Sequence, residues 1–406
     1  MENKGINVLS LFDGMSCGQQ ALERCGIVVN NYFASEIDKY AIQVTMHNYP
    51  NTKQLGSVIN VDGYSFPKID LLIGGSPCQS FSFAGKRKGM ATKCEVEILT
   101  LEHYLELKKE GYEFEGQSYL FWEFMRLLNE TKPKYFLLEN VIMGEKWEKI
   151  LNRAIGVNAI EINSALVSAQ NRRRLYWTNI GLEPGGLFGD LVSIIKKPKD
   201  KGVLLKDILE KEVDKKYYLS DKMIDFLNSR NKETVNISGK SSCFTAGGNS
   251  GGLHSQMDLI KCVAMRGRNP ENPKSRESGL ETEQQLEPRE DGKTNCLTTV
   301  QKDNLVYTEN YIQLPGYRID NQVFYEDKKH GTLDTHANRP KVLTEGKIRR
   351  LTPLECERLQ TVKDGYTSNV SDTQRFRMLG NGWTVDVIAH IFNHLAYTQE
   401  RGKNFT

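Results

Sequence analysis

The 406-residue sequence contains no run of 18 or more apolar residues, and its first thirty residues lack a basic-then-apolar leader. By pattern it has neither a membrane span nor a secretory signal, and a cytoplasmic protein is the expectation. Its eight cysteines, at positions 17, 25, 78, 94, 243, 262, 296 and 356, form no Cys-x-x-Cys pair and no Cys/His cluster at zinc-like spacing. Reduced thiols and no metal site are expected. Excess charge is also scarce: 54 Lys and Arg against 51 Asp and Glu leave +3. A polyanion partner needs a concentrated basic face, so this average argues nothing by itself. Length is what the chain does have. Single cores usually stop growing well short of it, so at least two lobes are expected.

Residues 1–182 alternate short apolar runs with amphipathic stretches, the pattern of a doubly wound α/β sheet. INVLSLF (6–12), NYFASE (31–36), IDLLIGG (69–75) and KYFLLEN (134–140) read as strands, with GQQALERCG (18–26) and YLFWEFMRLLNE (119–130) as helices. AIEINSALV (159–167) and RRLYWTNI (173–180) read as an antiparallel closing pair. From about 183 to 345 the periodicity is lost in polar, Gly-rich text, which marks a second domain or long insertion. Three loosely similar units there, starting at 239, 292 and 330, are either strand-turn repeats or chance likeness of Thr/Gly-rich text. Helical order returns at TPLECERLQT (352–361), where Thr352, Pro353 and Glu355 fit a capping box with proline at N1. VDVIAHIFNHLAY (385–397) suits a terminal helix docked on the first lobe.

Ligands on such sheets bind beyond the carboxyl ends of the strands. Four segments fall there. FDGMSCG (12–18) joins strand to helix through glycines that let a ligand approach the backbone, and Glu36 ends strand 2 where ribose hydroxyls can be bound. There is no full GxGxxG, which favours a nucleoside without phosphates. GGSPCQ (74–79) carries Cys78 where the most apolar strand leaves the sheet, a position that suits a nucleophilic thiol. Glu139 follows Phe-Leu-Leu, where a carboxylate is costly unless paired or protonated, and this fits it to donate a proton to a ring nitrogen. In QNRRRLYW (170–177), Arg172 and Arg174 share a face at period two while Arg173 points away. Each segment alone also fits a plain structural reading: a tight glycine turn, an inert buried thiol, a strand-end cap, a solvated basic patch.

Taken together and in this order, FDGxxxG (12–18), SPCQ (76–79), ENV (139–141), QNRRR (170–174), RRLTPLECERLQ (349–360) and RMLGNGWTV (377–385) resemble the DNA cytosine C5 methyltransferase family. The likeness is to the prokaryotic or phage type, with phrases closest to the de novo branch. It implies an S-adenosylmethionine-dependent, Rossmann-like α/β mixed sheet with an inserted, irregular, mostly β target-recognition domain. The expected division is 1–182 catalytic and cofactor-binding, 183–345 target recognition, and 346–406 helices that complete the catalytic domain. The implied catalytic set is Cys78 adding to cytosine C6, Glu139 at N3, and Arg174 with Arg172 holding the flipped base.

The resemblance places S-adenosyl-L-methionine against Phe12, Asp13, Gly14, Met15, Ser16, Cys17 and Gly18, with Glu36 on the ribose and Ile37 on the adenine. Ser57, Val58, Pro77, Leu120, Asn381 and Trp383 complete the pocket. Ser57 stands where the family has an acidic residue for the adenine amine, so either Ser57 or Asp62 takes that contact. Gln79 and, in a loop expected over 80–117, Ser82, Lys86, Arg87 and Lys88 would contact double-stranded DNA. A monomer or weak dimer is implied, with no membrane, no metal and a cognate restriction endonuclease as an optional partner. Two rivals share the motifs: a cytosine methyltransferase acting on transfer RNA, since CFT (243–245) resembles a motif of that branch, and an inactive DNA-binding relative. Retention of Cys78 and Glu139 argues against the second.

Overall fold

The computed structural model describes residues 5–77, 90–185, 190–218, 260–268, 283–289, 305–311, 323–325 and 341–401. The chain divides into two compact units, Met1–Val203 with Cys356–Thr406, and Leu204–Glu355.

The first unit is built on a seven-stranded sheet. Its strands are β1 (Ile6–Leu11), β2 (Val29–Ser35), β3 (Lys53–Gln54), β4 (Leu71–Gly75), β5 (Tyr135–Val141), β6 (Ile160–Asn163) and β7 (Arg173–Thr178), in the order β3-β2-β1-β4-β5-β7-β6. β1 to β5 run parallel, and β7 pairs antiparallel with both β5 and β6. The expected closing pair is therefore present. β1 and β4 are nearly continuous apolar runs because helices cover both faces of a parallel sheet. The strand order reverses between β1 and β4, and their carboxyl ends open a crevice there.

Helices α1 (Cys17–Arg24), α2 (Lys39–Asn48), α3 (Leu101–Lys109), α4 (Phe121–Thr131) and α5 (Glu145–Ile155) flank the sheet. α2 starts where the Asp38 side chain accepts the Tyr40 N–H, and α5 stops at Gly156, whose φ of 82° is the left-handed turn glycine tolerates. Phe121, Trp122, Phe124 and Leu127 of α4 are fully buried in one cluster with Leu72, Leu138 and Trp177 of the sheet. The stretch 80–117, expected as one loop, is ordered secondary structure in part. α3 lies within it and buries Tyr104 and Leu107 in the same cluster, with Met90 and Ile98.

The first unit runs past residue 182, where periodicity is lost. A hairpin of β8 (Leu182–Gly185) and β9 (Asp190–Ser193) follows, and the Lys201 N–H returns to the Leu166 carbonyl at 2.8 Å. Loss of sheet periodicity thus marks the end of the sheet, not of the packing.

In the second unit, β10 (Ile260–Arg268), β11 (Glu283–Arg289), β12 (Leu305–Tyr311), β13 (Val323–Tyr325) and β14 (Lys341–Arg350) form a sheet ordered β11-β10-β12-β14-β13. It is antiparallel apart from β13 beside β14. A short helix, α6 (Leu205–Ile208), precedes it. The loose repeats starting at 239, 292 and 330, with CFT at 243–245, lie largely or wholly outside the described residues.

The chain then enters α7 (Pro353–Leu359) through the expected capping box: Glu355 N–H donates to Thr352 Oγ1 at 3.2 Å, and Thr352 N–H donates to Glu355 Oε2 at 2.8 Å. α8 (Asp372–Asn381) and α9 (Val385–Arg401) belong to the first unit. α9 buries Val385, Val387, Ile388, Ile391 and Phe392, and Arg24 of α1 pairs with Asp386. This is the docking expected of the terminal helix. No helix among the described residues is long and apolar enough to cross a membrane.

Candidate active site

The turn after β1 occupies the strand-order reversal. Phe12, Gly14 and Ser16 all have positive φ, at 57°, 58° and 62°. These twists turn the chain sharply into α1, and among the described residues nothing lies within 4 Å of the Cβ position at Gly14. Gly18 is fixed by packing instead: a Cβ there would stand 2.5 Å from Ile73 Cδ1 and 2.9 Å from the Tyr32 hydroxyl.

Polar groups brace the turn from three sides. Tyr32 Oη donates to Asp13 Oδ1 at 2.8 Å, and Tyr366 Oη donates to the Met15 carbonyl at 2.7 Å. Glu36 Oε2 accepts the Gly14 N–H at 2.8 Å, and its Oε1 accepts those of Ile37 and Asp38 at 2.7 and 2.8 Å. Three of a carboxylate's roughly four acceptor positions are thereby taken, which leaves about one for a ligand hydroxyl. Ile37, next along, is 71% exposed at the strand end.

Asp13 Oδ2 is buried and finds no hydrogen-bond partner among the described residues. Burial raises the Asp13 carboxyl to about 6, against the lowering effect of the Ser10, Tyr32 and Ser16 hydroxyls. Burial likewise pushes the Cys17 thiol up to about 12, opposed by the backbone N–H of Trp383. Cys17 is thus an inert thiol.

At the end of β4, Asn140 Nδ2 donates to Ser76 Oγ at 2.9 Å and to the Ser76 carbonyl at 3.3 Å, which holds the Ser76-Pro77 corner. Cys78 follows at once, but with Gln79, Ser82, Lys86, Arg87 and Lys88 it lies outside the described residues. Gly75 pairs in register with Glu139 of β5. Glu139 is only 8% exposed, and both its oxygens are engaged. Arg174 Nε lies 3.1 Å from Oε1, and Trp383 Nε1 donates to Oε2 at 3.2 Å. Residues from β4, β5, β7 and the α8–α9 corner therefore meet at one carboxylate.

The three arginines of 172–174 go to three places. Arg174 pairs with Glu139. Arg173 makes a two-pronged pair with Glu161, at 2.6 and 2.8 Å, on the surface. Arg172 lies immediately before β7. It is 3% exposed and donates to the carbonyls of Gly380 and Gly382 at 3.2 and 2.9 Å. Gln360 Nε2 reaches the Leu379 and Gly382 carbonyls at 2.7 and 3.2 Å, and Thr384 Oγ1 donates to Gln360 Oε1 at 2.9 Å. Arg172 and Gln360 together hold the corner that carries Asn381, which is exposed, and Trp383.

On the far side of the crevice, Ser57 is half-buried ahead of the 3-10 turn Val58–Asn60, and Val58 is buried. Asp62 spends Oδ1 on the Tyr64 N–H at 3.0 Å as a cap of its own. The segment is held by α4: Arg126 Nη2 donates to the Val58 and Val61 carbonyls at 3.2 and 2.9 Å, and Glu130 Oε2 accepts the Gly63 N–H at 2.9 Å. Leu120 is partly buried at the start of α4. The bracing groups Tyr32, Arg126, Gln360 and Tyr366 had no local sequence signal, since each acts on a partner distant along the chain. Among the described residues, no group of three or more His, Cys, Asp or Glu could hold a metal ion.

The family model for the C-5 cytosine-specific DNA methylase matches residues 6–396. The orphan methyltransferase M.SPRI of Bacillus phage SPR is 28% identical over 455 residues, covering 97% of this chain and 98% of that protein. The type II methyltransferase M1.ScrFI of Lactococcus lactis subsp. cremoris is 25% identical over 412 residues, covering 98% of this chain and 79% of that one. Among solved structures, the Entamoeba histolytica methyltransferase EhMeth shares the fold, with a TM-score of 0.54 at 14% identity over 97% of this chain and 98% of its own.

Proposed function

The chain belongs to the C-5 cytosine-specific DNA methylase family, and on that premise we propose that it methylates C5 of a cytosine flipped out of one short double-stranded DNA sequence, using S-adenosylmethionine. The observation that carries this reading is the enclosed Glu139, clamped by Arg174 and Trp383 one strand away from the Ser76-Pro77 corner that leads into Cys78.

Cytosine C5 is a weak nucleophile until a group adds to C6. Cys78 Sγ is the adding group, forming an S–C6 bond while Glu139 hydrogen-bonds N3 and the exocyclic amine, so the ring accepts the electron pair. Methylation at C5 would leave S-adenosylhomocysteine, and loss of the C5 proton to water then breaks the S–C6 bond, restores the ring and releases the thiolate. Arg174 keeps Glu139 aimed and faces the base, which must leave the duplex because its C6 is unreachable inside it. Arg172 serves the same centre by holding the Gly380–Gly382 backbone.

The crevice fits the cofactor. Among the described residues, the open space over Gly14 and the buried Asp13 oxygen that lacks a partner suit a methionine end, while Glu36 and exposed Ile37 suit a ribose and an adenine. When bound, S-adenosylmethionine supplies an electrophilic methyl group. Phe12 to Gly18 would hold its amino-acid end, Glu36 and Ile37 its nucleoside, and Ser57, Val58, Pro77, Leu120, Asn381 and Trp383 the remaining walls. Ser57 is the better adenine contact, because Asp62 already caps its own turn. Leu204–Glu355 would be the unit that selects the DNA sequence, with Gln79, Ser82, Lys86, Arg87 and Lys88 meeting the DNA beside the reacting base.

Bisulfite sequencing of plasmid DNA after incubation with the protein and S-adenosylmethionine, beside a matched transfer RNA sample, tests the reading. Methylcytosine confined to one short DNA sequence is the expected result. Modified RNA with untouched DNA, or no modification of either, overturns it.

A further inference from the structure

Trp383 is placed to do more than line a cofactor pocket. Its indole N–H donates to Glu139 Oε2, and its main-chain N–H lies at the Cys17 sulfur in the turn after β1. The indole reaches Glu139 only because residue 75 is glycine: a Cβ there would stand 2.8 Å from Trp383 Nε1 and 3.3 Å from Glu139 Oε2. The corner is held behind it, since the Gly382 carbonyl accepts from Arg172 and Gln360 and a Cβ there would stand 2.8 Å from Met15 Cε and 3.1 Å from the Met378 carbonyl oxygen. One residue thus spans from the cofactor turn to the carboxylate.

We propose that Trp383 is a positioning residue for Glu139: its indole N–H fixes the second carboxylate oxygen, so that with Arg174 on the first the group presents one orientation to the incoming base. This rests on the assignment of Glu139 as the group that binds N3. A buried carboxylate held by a single arginine still rotates about its terminal torsion, which is broad and two-fold. Two donors on different oxygens remove that freedom, and pre-aligned groups are what proximity catalysis requires.

The test is Trp383→Phe, which keeps a ring against the turn and removes only the N–H. Single-turnover methylation should fall about tenfold to a hundredfold, the rate equivalent of one hydrogen bond to a charged group. Binding of S-adenosylhomocysteine by calorimetry and the KM for DNA should stay close to wild type. In a Glu139→Ala background, Trp383→Phe should cost nothing further, because the partner through which it acts is gone. A wild-type rate for Trp383→Phe overturns the proposal, as does an equal loss in the Glu139→Ala background. Full activity of Glu139→Ala alone instead removes the assignment of Glu139 itself. Should Trp383→Phe fail to fold, Gly75→Ala displaces the indole without altering it, and should show the same rate loss; an unchanged rate overturns the proposal.

Discussion

Glu139, Asp13 and Gly18 are tested by different measurements because different physics holds them. Glu139 is nearly enclosed and accepts from two donors, so Glu139→Gln keeps its shape while losing its charge. A rate loss of at least a hundredfold is expected from removal of an acid-base group, with S-adenosylhomocysteine affinity nearly unchanged in calorimetry. Cys78→Ser should still bind DNA in a mobility-shift assay while turnover disappears. Gly18→Ala drives a methyl group into Ile73 and Tyr32, and should cost about 1–3 kcal/mol in urea denaturation, the usual range for overpacking.

Asp13 makes stability depend on pH with an unusual sign for a carboxylate. Its folded value of about 6 lies above the ordinary 3.8, so the folded state holds the proton more tightly than the unfolded chain does. The stability it contributes is complete below 3.8 and is lost as pH rises through about 6. Asp13→Asn, which mimics the protonated form, should therefore melt above wild type at pH 8 and nearly level with it at pH 4. At this scale the placing of Glu139 and of the Gly18 turn at the crevice was legible in the sequence, because each sits beside its own motif, while Cys78 lies outside the described residues. The bracing partners of Arg172 were not, since the Gly380 and Gly382 carbonyls that take its guanidinium lie some two hundred positions away.

At the scale of elements, α4 illustrates how the sheet's cover also shapes the site. Its inner face fills the core, and Arg126 reaches from its side to two carbonyls of the Val58–Val61 turn and to Glu123 and Glu130. Glu123 is fully buried and is shared with Lys108 and Tyr104. Arg126→Met keeps the length of the stem but leaves those acceptors short of a donor. It should cost about 2–4 kcal/mol, as removal of one partner from a buried polar network does, and should weaken S-adenosylhomocysteine binding more than DNA binding. The major strands were legible because continuous apolar runs can only be buried on both sides. β3 was not, since two residues, Lys53 and Gln54, carry no periodicity, and α3 was missed because its polar face dominates the stretch 101–109.

At the scale of the whole molecule, the first unit is discontinuous: its sheet is finished by residue 178, yet α8 and α9 come from beyond residue 356. Deleting everything after Thr384 would strip away Val385, Val387, Ile388, Ile391, Phe392 and Leu395, six buried side chains. At about 1.5–3 kcal/mol each this loss of roughly 9–18 kcal/mol matches or exceeds the 5–15 kcal/mol by which domains are usually stable. The truncated chain should therefore lack a cooperative melting transition in circular dichroism. Loss of periodicity at 182 marked where the sheet ends and not where the first unit does, which runs to Val203, and the return of α9 to α1 rested on the helical spacing of its apolar residues alone.

That discontinuity has a bearing on how the protein is made. A ribosome that has completed the sheet must still translate residues 204–355 before it reaches the corner bearing Trp383 and the helix that docks beside Arg24. At about 5–20 residues per second this interval lasts on the order of eight to thirty seconds. Throughout it the nascent chain has Glu139 and the turn after β1 but lacks Trp383 and Tyr366, two of the groups that brace them, so the crevice is completed only after residues 204–355 have been synthesised.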